Sequence, residues 1–332
     1  MKAFAYRSAT SEEGAAKLLG EKALPLAGGT NLLNLMKNYV LQPEVLVDIK
    51  KIPGMAGIEF ASGSAKIGAN TLIADIAAHE RIQKEYPALA QAAGGIATPQ
   101  IRNMATLGGN LCQRPYCWYF TQEAFDCLKR GGTTCPAKKG ENEYHAIFEN
   151  DGPCVIVHPS TSAPALIALG ARLRIGGKSA REVPIEEFFI LPKDDPRREN
   201  SLGPGEIVTH VILGPPRPRS AAYAVREKDA NDWPVSLAAV ALELDGDTVR
   251  SARICLGAVA PIPLRSKAAE EALAGKKITE ATAAAAADAA VTGAKPLEKN
   301  AYKVRTAHAC VKRAVLLAAG IPVPDLTNTT AK

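Results

Sequence analysis

Apolar positions recur along the first fifty residues at two different spacings. From Ser11 to Leu19 they fall at Ala15, Ala16, Leu18 and Leu19 behind Glu12 and Glu13, the pattern of a helix with an acidic first turn. Leu24 to Ala27 is a short apolar run entering Gly28-Gly29-Thr30-Asn31, a strand meeting a turn, with a second helix expected just beyond. Val45-Leu46-Val47-Asp48-Ile49 reads as a buried strand from its β-branched content. These pieces predict a small βαβ-like unit.

Farther on, Gly57 to Phe60 and Ala65 to Ala69 predict a hairpin around Ala61-Ser62-Gly63-Ser64, and Thr71 to Ala93 predicts two helices broken near Tyr86-Pro87. Val155 to Val157 reads as a strand, Ala163 to Leu169 as a short helix and Ala171 to Ile175 as another strand. Gly214-Pro215-Pro216-Arg217-Pro218-Arg219 is stiff and polar, which puts a domain boundary near residue 217. Beyond it, Val235 to Leu244 and Thr248 to Gly257 alternate across Asp245-Gly246-Asp247 as an antiparallel pair. Alanine-rich helices follow at Ser266 to Ala274, Thr279 to Val291 and Asn300 to Ala319, a helical layer on a small sheet. The expected class is α+β, with domains at 1–216 (two parts, about 1–55 and 56–216) and 217–332.

A chain of 332 residues fits two or three domains. With 47% hydrophobic and 22% charged residues it reads as an ordinary globular protein, and no apolar run approaches the ~18 residues of a membrane helix. Lys and Arg exceed Asp and Glu by 40 to 34, but scattered, so no nucleic-acid stripe is formed. The start lacks an apolar segment of the kind that drives secretion. The expected compartment is the cytoplasm, with the periplasm, reached on a partner's twin-arginine signal, as the alternative. There is no G-x-S-x-G, H-E-x-x-H or P-loop lysine motif, which makes hydrolysis and phosphoryl transfer poor readings.

Two features carry chemistry. Ala27-Gly28-Gly29-Thr30-Asn31 and Thr106-Leu107-Gly108-Gly109-Asn110 share a diglycine followed by polar residues, suited to two loops converging on one pyrophosphate, although neither matches the Rossmann pattern. Five of the seven cysteines, Cys112, Cys117, Cys127, Cys135 and Cys154, fall in residues 112–154, where regular structure is not expected. An odd cysteine count with no secretion signal favours reduced thiols, some of them ligands. Cys117, Cys127, Cys135 and Cys154 are separated by nine, seven and eighteen residues, unlike zinc ribbons or plant-type ferredoxins, so spacing alone names no metal. His145 and His158 flank the same loop as further candidates, and Trp118-Tyr119-Phe120 reads as packing.

The combination of Leu26 to Asn31, Ile101 to Asn110 and Val157-His158-Pro159-Ser160 resembles the FAD-binding medium subunits of the molybdenum hydroxylases, the xanthine dehydrogenase and carbon monoxide dehydrogenase family. Gln113-Arg114, Cys117 to Phe120, Gly140-Glu141-Asn142 and His145-Ala146 resemble its branch with 4-hydroxybenzoyl-CoA reductase and periplasmic aldehyde oxidoreductase, where an inserted loop carries a 4Fe-4S cluster. The resemblance implies a two-part FAD-binding domain like that of vanillyl-alcohol oxidase relatives, then a C-terminal three-stranded antiparallel sheet with helices. It implies FAD contacts from Leu26, Ala27, Gly28, Gly29, Thr30, Asn31, Thr106, Gly108, Gly109, Asn110 and Ser160, with Ile96 against the flavin. It also implies a 4Fe-4S cluster on Cys117, Cys127, Cys135 and Cys154, with Cys112 a bystander.

Two positions depart from the family pattern: Thr161 stands where an aspartate is common, and Ala224 where a lysine is frequent. Lys228 or Arg226 is the expected substitute for that positive charge. The implied partners are a large molybdopterin-binding subunit, a small 2Fe-2S subunit and an external electron acceptor. Two rival readings stand beside this one, a scaffold whose loop binds structural zinc and a stand-alone flavin oxidase.

Overall fold

The computed structural model describes residues 1–61, 63–228 and 231–324. The first sheet is a three-stranded parallel unit in which β3 (Val45–Asp48) lies between β1 (Ala5–Ser8) and β2 (Ala23–Leu26). Helix α1 (Glu12–Leu18) connects β1 to β2, its N-terminus capped by Ser11, whose hydroxyl accepts from the Gly14 amide at 3.0 Å. Helix α2 (Leu32–Lys37) follows the first diglycine turn. This is the βαβ-like unit expected from the apolar spacing.

The middle sheet is antiparallel, in the order β4 (Ile58–Ala61), β5 (Ser64–Gly68), β8 (Ile207–Leu213), β6 (Arg172–Gly176) and β7 (Arg181–Pro184). The expected turn between β4 and β5 includes Ser62, which lies outside the described residues. Where two helices were expected, three form: α3 (Ile73–Ala78), α4 (Glu80–Glu85) and α5 (Pro87–Gly94). His79, in extended backbone at φ −73° and ψ 114°, makes the additional break. Short helices α6 (Pro99–Arg102), α7 (Leu107–Leu111) and α8 (Trp118–Thr121) lead into the cysteine loop, and α9 (Ser162–Ala168) leaves it. Val155 to Val157 is extended but joins no sheet, because its hydrogen bonds go to Ala146 and, one residue on, to Ala260.

The last sheet runs β12 (Leu264–Arg265), β11 (Thr248–Gly257), β10 (Pro234–Asp245), β9 (Ser220–Arg226), all antiparallel. Three long strands are joined by a fourth of two residues, held short by Pro261 and Pro263 before it and by the start of α10 (Lys267–Leu273) after it. Helices α11 (Glu280–Val291) and α12 (Tyr302–Ala318) close against this sheet, with Ala283, Ala286, Ala287 and Ala290 buried among Ala307, Cys310, Val311 and Ala314. Small residues on both faces let the helix axes approach closely. Residues 325–332 of the expected C-terminal domain lie outside the described residues. Two main cores result, one under the first two sheets and one under the last.

Candidate cofactor site

The first diglycine turn is where β2 becomes α2. Gly29 sits in left-handed backbone at φ +73°, which only glycine adopts without strain. A side chain on Gly28 would overlap the Met104 carbonyl oxygen, so the absence of one lets the first turn touch the segment entering the second. Asn31 completes the junction: its Nδ2 donates to Arg114 O at 3.1 Å and its Oδ1 accepts from the Arg114 amide at 3.0 Å. The two turns, seventy-odd residues apart in sequence, are thereby held side by side.

Their amides differ in availability. Those of Gly28 to Asn31 meet no acceptor among the described residues, and a run of free amides around a left-handed glycine is an anion-binding nest. In the second turn Leu107 N donates to Thr71 O at 3.0 Å, Gly108 N to Ala69 O at 2.8 Å and Gly109 N to the capping Thr106 hydroxyl at 3.2 Å. The backbone amides of Leu107 to Gly109 are therefore already used within the fold, which leaves the main-chain donors of the cleft to the first turn. Gly108 is packed on Ala69, whereas at Gly109 a side chain would meet only the Thr106 hydroxyl.

A cleft of about 240 Å³ is bounded by Ala27, Gly28, Gly29, Thr30, Asn31, Thr106, Gly108 and Gly109 together. On the far side of a contact between Ser160 Oγ and Asn110 Oδ1 (2.6 Å) opens a second cavity of about 280 Å³. Its wall includes the aromatic side chains of Tyr116, Trp118, Tyr144 and Trp233, with His145, His158, Ser160, Glu227 and Asp232 among the polar lining. Tyr116 and Trp233 pack together with ring centroids 4.3 Å apart. His158 is 2% exposed, its Nδ1 accepts from the Ser160 amide at 3.3 Å, and its Nε2 is buried without a partner. Burial, aided by the nearby charge of Lys129, lowers its pKa to about 3. Its imidazole is neutral, and since Nδ1 accepts, Nε2 carries the proton and is a buried donor without a partner among the described residues.

Leu26, Ile96, Asn110 and Lys228 line neither cavity. Asn110 bridges the two as described, and buried Ile96 lies one residue from Gly95, whose carbonyl accepts from Arg226 Nη2 at 2.9 Å. Lys228 is exposed. Of the two cations considered as substitutes, Arg226 is thus the one packed toward Ile96. Tyr116 and Trp233 meet only through tertiary contact, and no local pattern points to them.

Three of the four grouped cysteines, Cys117, Cys127 and Cys135, each stand immediately before a short helical turn. The Phe120 and Tyr119 amides face the Cys117 sulfur, those of Val155, Ala137 and Lys138 face Cys135, and that of Ile156 faces Cys154. Amide dipoles aimed at sulfur favour thiolates, the form that binds metal. The Cys154 thiol beside Cys135 holds Cys135 below the usual thiol range, and the same contact with burial drives Cys154 above it. Burial raises Cys117 to about 12, with Cys127 and Cys135 close enough to add to the effect. All four sulfurs therefore belong to one constellation. Among the described residues no three His, Cys, Asp or Glu side chains are gathered tightly enough for a single metal ion. Four thiols, three of them faced by main-chain amides, make a sulfur donor set of the kind that holds iron or zinc. Cys112 stands apart, on the wall of the glycine cleft.

The loop is anchored by buried ions. Lys129 Nζ, its side chain 1% exposed, donates to Glu199 Oε1 at 2.7 Å, and Arg114 Nε reaches Glu199 Oε2 at 3.1 Å. Such a triad fixes 112–154 against the segment before β8.

An α+β chain in which two glycine turns bound one cleft, with a cysteine loop alongside, has the organisation of a FAD-binding subunit. The chain belongs to the FAD-binding medium subunits of the xanthine dehydrogenase and carbon monoxide dehydrogenase family. Residues 2–216 match the FAD binding domain in molybdopterin dehydrogenase and residues 221–318 the CO dehydrogenase flavoprotein C-terminal domain. It is similar to the aldehyde oxidoreductase FAD-binding subunit PaoB of Escherichia coli K12, at 34% identity over 92% of this chain and 94% of that protein. It is also similar to the carbon monoxide dehydrogenase medium chain of Hydrogenophaga pseudoflava, at 31% identity over 94% and 96% of the two chains. Among solved structures, carbon monoxide dehydrogenase from the same organism superposes with a TM-score of 0.74, 31% identity, and coverage of 96% of this chain and 98% of that one. Among the described residues no helix is long and apolar enough to cross a membrane.

Proposed function

We propose that this chain is the electron-relay subunit of a molybdenum hydroxylase complex, holding FAD across the two cavities and a 4Fe-4S cluster on Cys117, Cys127, Cys135 and Cys154. The observation that carries the reading is the junction of the two diglycine turns on one cleft, with free amides only on the first. In this reading Ala27 to Asn31 hold the pyrophosphate by main-chain donors, while Leu26, Thr106 and Gly108 shape the cleft and Gly109 leaves room on its open side. Asn110 and Ser160 sit at the midpoint, and the aromatic cavity takes the ring system. Ile96 and Arg226 support that end, and Lys228 has no contact that recommends it.

FAD exchanges single electrons from iron–sulfur centres for a pair delivered to an acceptor, and the cluster adds a one-electron station. The residues of this chain exclude water, fix the ring and hold the ligand sulfurs in the field of main-chain dipoles. A large molybdopterin subunit and a small 2Fe-2S subunit are the proposed partners, because the relatives include medium chains of carbon monoxide dehydrogenase. The deciding experiment is anaerobic purification of the complex with FAD and iron counted per chain. Replacing Cys127 or Cys135 with serine should remove about four irons and leave the flavin. A colourless wild-type preparation, or iron unchanged in both variants, refutes the assignment.

A further inference from the structure

His145 lies within the cysteine loop and, with Cys117, on the wall of the aromatic cavity, and its backbone is held by buried Lys303. His145 is 4% exposed, and its Nε2 lies 3.2 Å from Cys117 Sγ. Its Nδ1 is buried with no partner among the described residues. The backbone of the same residue is gripped from the C-terminal domain: His145 O accepts from Lys303 Nζ at 3.0 Å and from Asn300 Nδ2 at 3.1 Å. Lys303 is 1% exposed and spends its remaining donors on Tyr144 O at 3.0 Å and Ala258 O at 2.6 Å. It makes no salt bridge among the described residues, and burial lowers its pKa to about 7.

We propose that His145 is a positioning residue that sets the reduction potential of the cluster held by Cys117, by donating its Nε2–H to the ligand sulfur, and that Lys303 locks it in place. The inference rests on the iron–sulfur assignment above.

The tautomer follows from the partners. A ligand thiolate only accepts, so the nitrogen facing it carries the hydrogen and Nδ1 is the bare one, which agrees with Nδ1 having no acceptor nearby. An electron arriving at a sulfur-ligated cluster adds a negative charge within a poorly solvated loop. A hydrogen bond to the ligand sulfur favours the more negative state and raises the potential. Trp118 and Tyr119 stand beside His145, with ring centroids 6.3 Å and 6.5 Å from the imidazole.

The test is a redox titration of the anaerobically purified complex, followed by the low-temperature EPR signal of the reduced cluster. His145→Leu should keep its iron and FAD while the cluster midpoint moves to more negative potential. His145→Gln, which retains an N–H donor, should recover part of the shift, and Lys303→Met should move the midpoint in the same negative direction. A His145→Leu complex with full iron and the wild-type midpoint overturns the proposal. Should His145→Leu assemble no cluster, wild-type midpoints in both His145→Gln and Lys303→Met overturn it equally. A wild-type complex without iron is a different failure, visible before any variant is made, and it falls on the cluster assignment itself.

Discussion

Gly108 and Gly109 are neighbours with different surroundings, and replacing each in turn separates packing from ligand access. A methyl on Gly108 would lie 2.8 Å from Ala69 Cβ and 3.1 Å from Ala69 O. Both are inside normal contact, and the obstacle is main chain that also accepts the Gly108 N–H, so it cannot simply swing away. Overpacking of this kind costs about 1–3 kcal/mol, while alanine recovers up to about 1 kcal/mol of helix propensity within α7. Gly108→Ala should therefore lose about 1–2 kcal/mol net. At Gly109 the nearest atom is the Thr106 hydroxyl at 3.0 Å, a side chain with some freedom to shift. Gly109→Ala should stay within about 1 kcal/mol of wild type. Urea unfolding of the FAD-free protein measures both, and FAD retained after gel filtration reports the site. Gly109→Asp adds the decisive arm: it should fold like Gly109→Ala yet lose FAD, because its carboxylate would stand on the open side of the turn, toward the phosphates. Equal unfolding midpoints for the two alanine variants would refute the packing argument, and full FAD occupancy in Gly109→Asp would remove the second turn from the cofactor site.

Two further outcomes are expected. Glu199→Ala strands the buried Lys129 ammonium, which should cost about 3–5 kcal/mol in thermal or urea unfolding; a loss under about 1 kcal/mol would mean the triad does not anchor the loop. His158 releases its proton near pH 3 when folded and near 6.5 when unfolded, so the unfolded chain takes up the proton first as pH drops. The associated stability is complete above pH 6.5 and is lost as pH falls toward 3, by at most about 4–5 kcal/mol. Urea midpoints from pH 7 to pH 4 should fall less steeply in His158→Phe than in wild type, and parallel profiles would show that His158 is not the group responsible.

Local patterns were legible where a single element buries one face. The alanine spacing from Thr279 to Val291 places Ala283, Ala286, Ala287 and Ala290 on one side of a helix, and those are the buried positions of α11. The break at His79 was not legible, because nothing in its neighbours departs from helical periodicity and no proline marks it. Val155 to Val157 has strand composition without a strand's neighbours, since the carbonyls that would continue a ladder belong to a loop. At the site, the two diglycine turns announce themselves by residue type. Their unequal amides do not, because Ala69 and Thr71, which occupy the second turn's donors, are supplied by another segment. The same holds for His145: the imidazole sits twenty-eight residues from Cys117 and its anchors, Asn300 and Lys303, more than one hundred and fifty residues downstream. Polar contacts across such separations leave no periodic trace.

Ile147 and Phe148, which close the cysteine loop, are buried in the C-terminal core, where their amides donate to Val259 O at 2.9 Å and 3.1 Å. Lys295 N in turn donates to Ile147 O at 2.7 Å. The seam that the prolines mark along the chain is therefore not a seam in space. A fragment ending near residue 216 would carry two large apolar side chains stripped of their cover and a sulfur-bearing loop with no backing, so genetic fission at that point yields neither half in its native form.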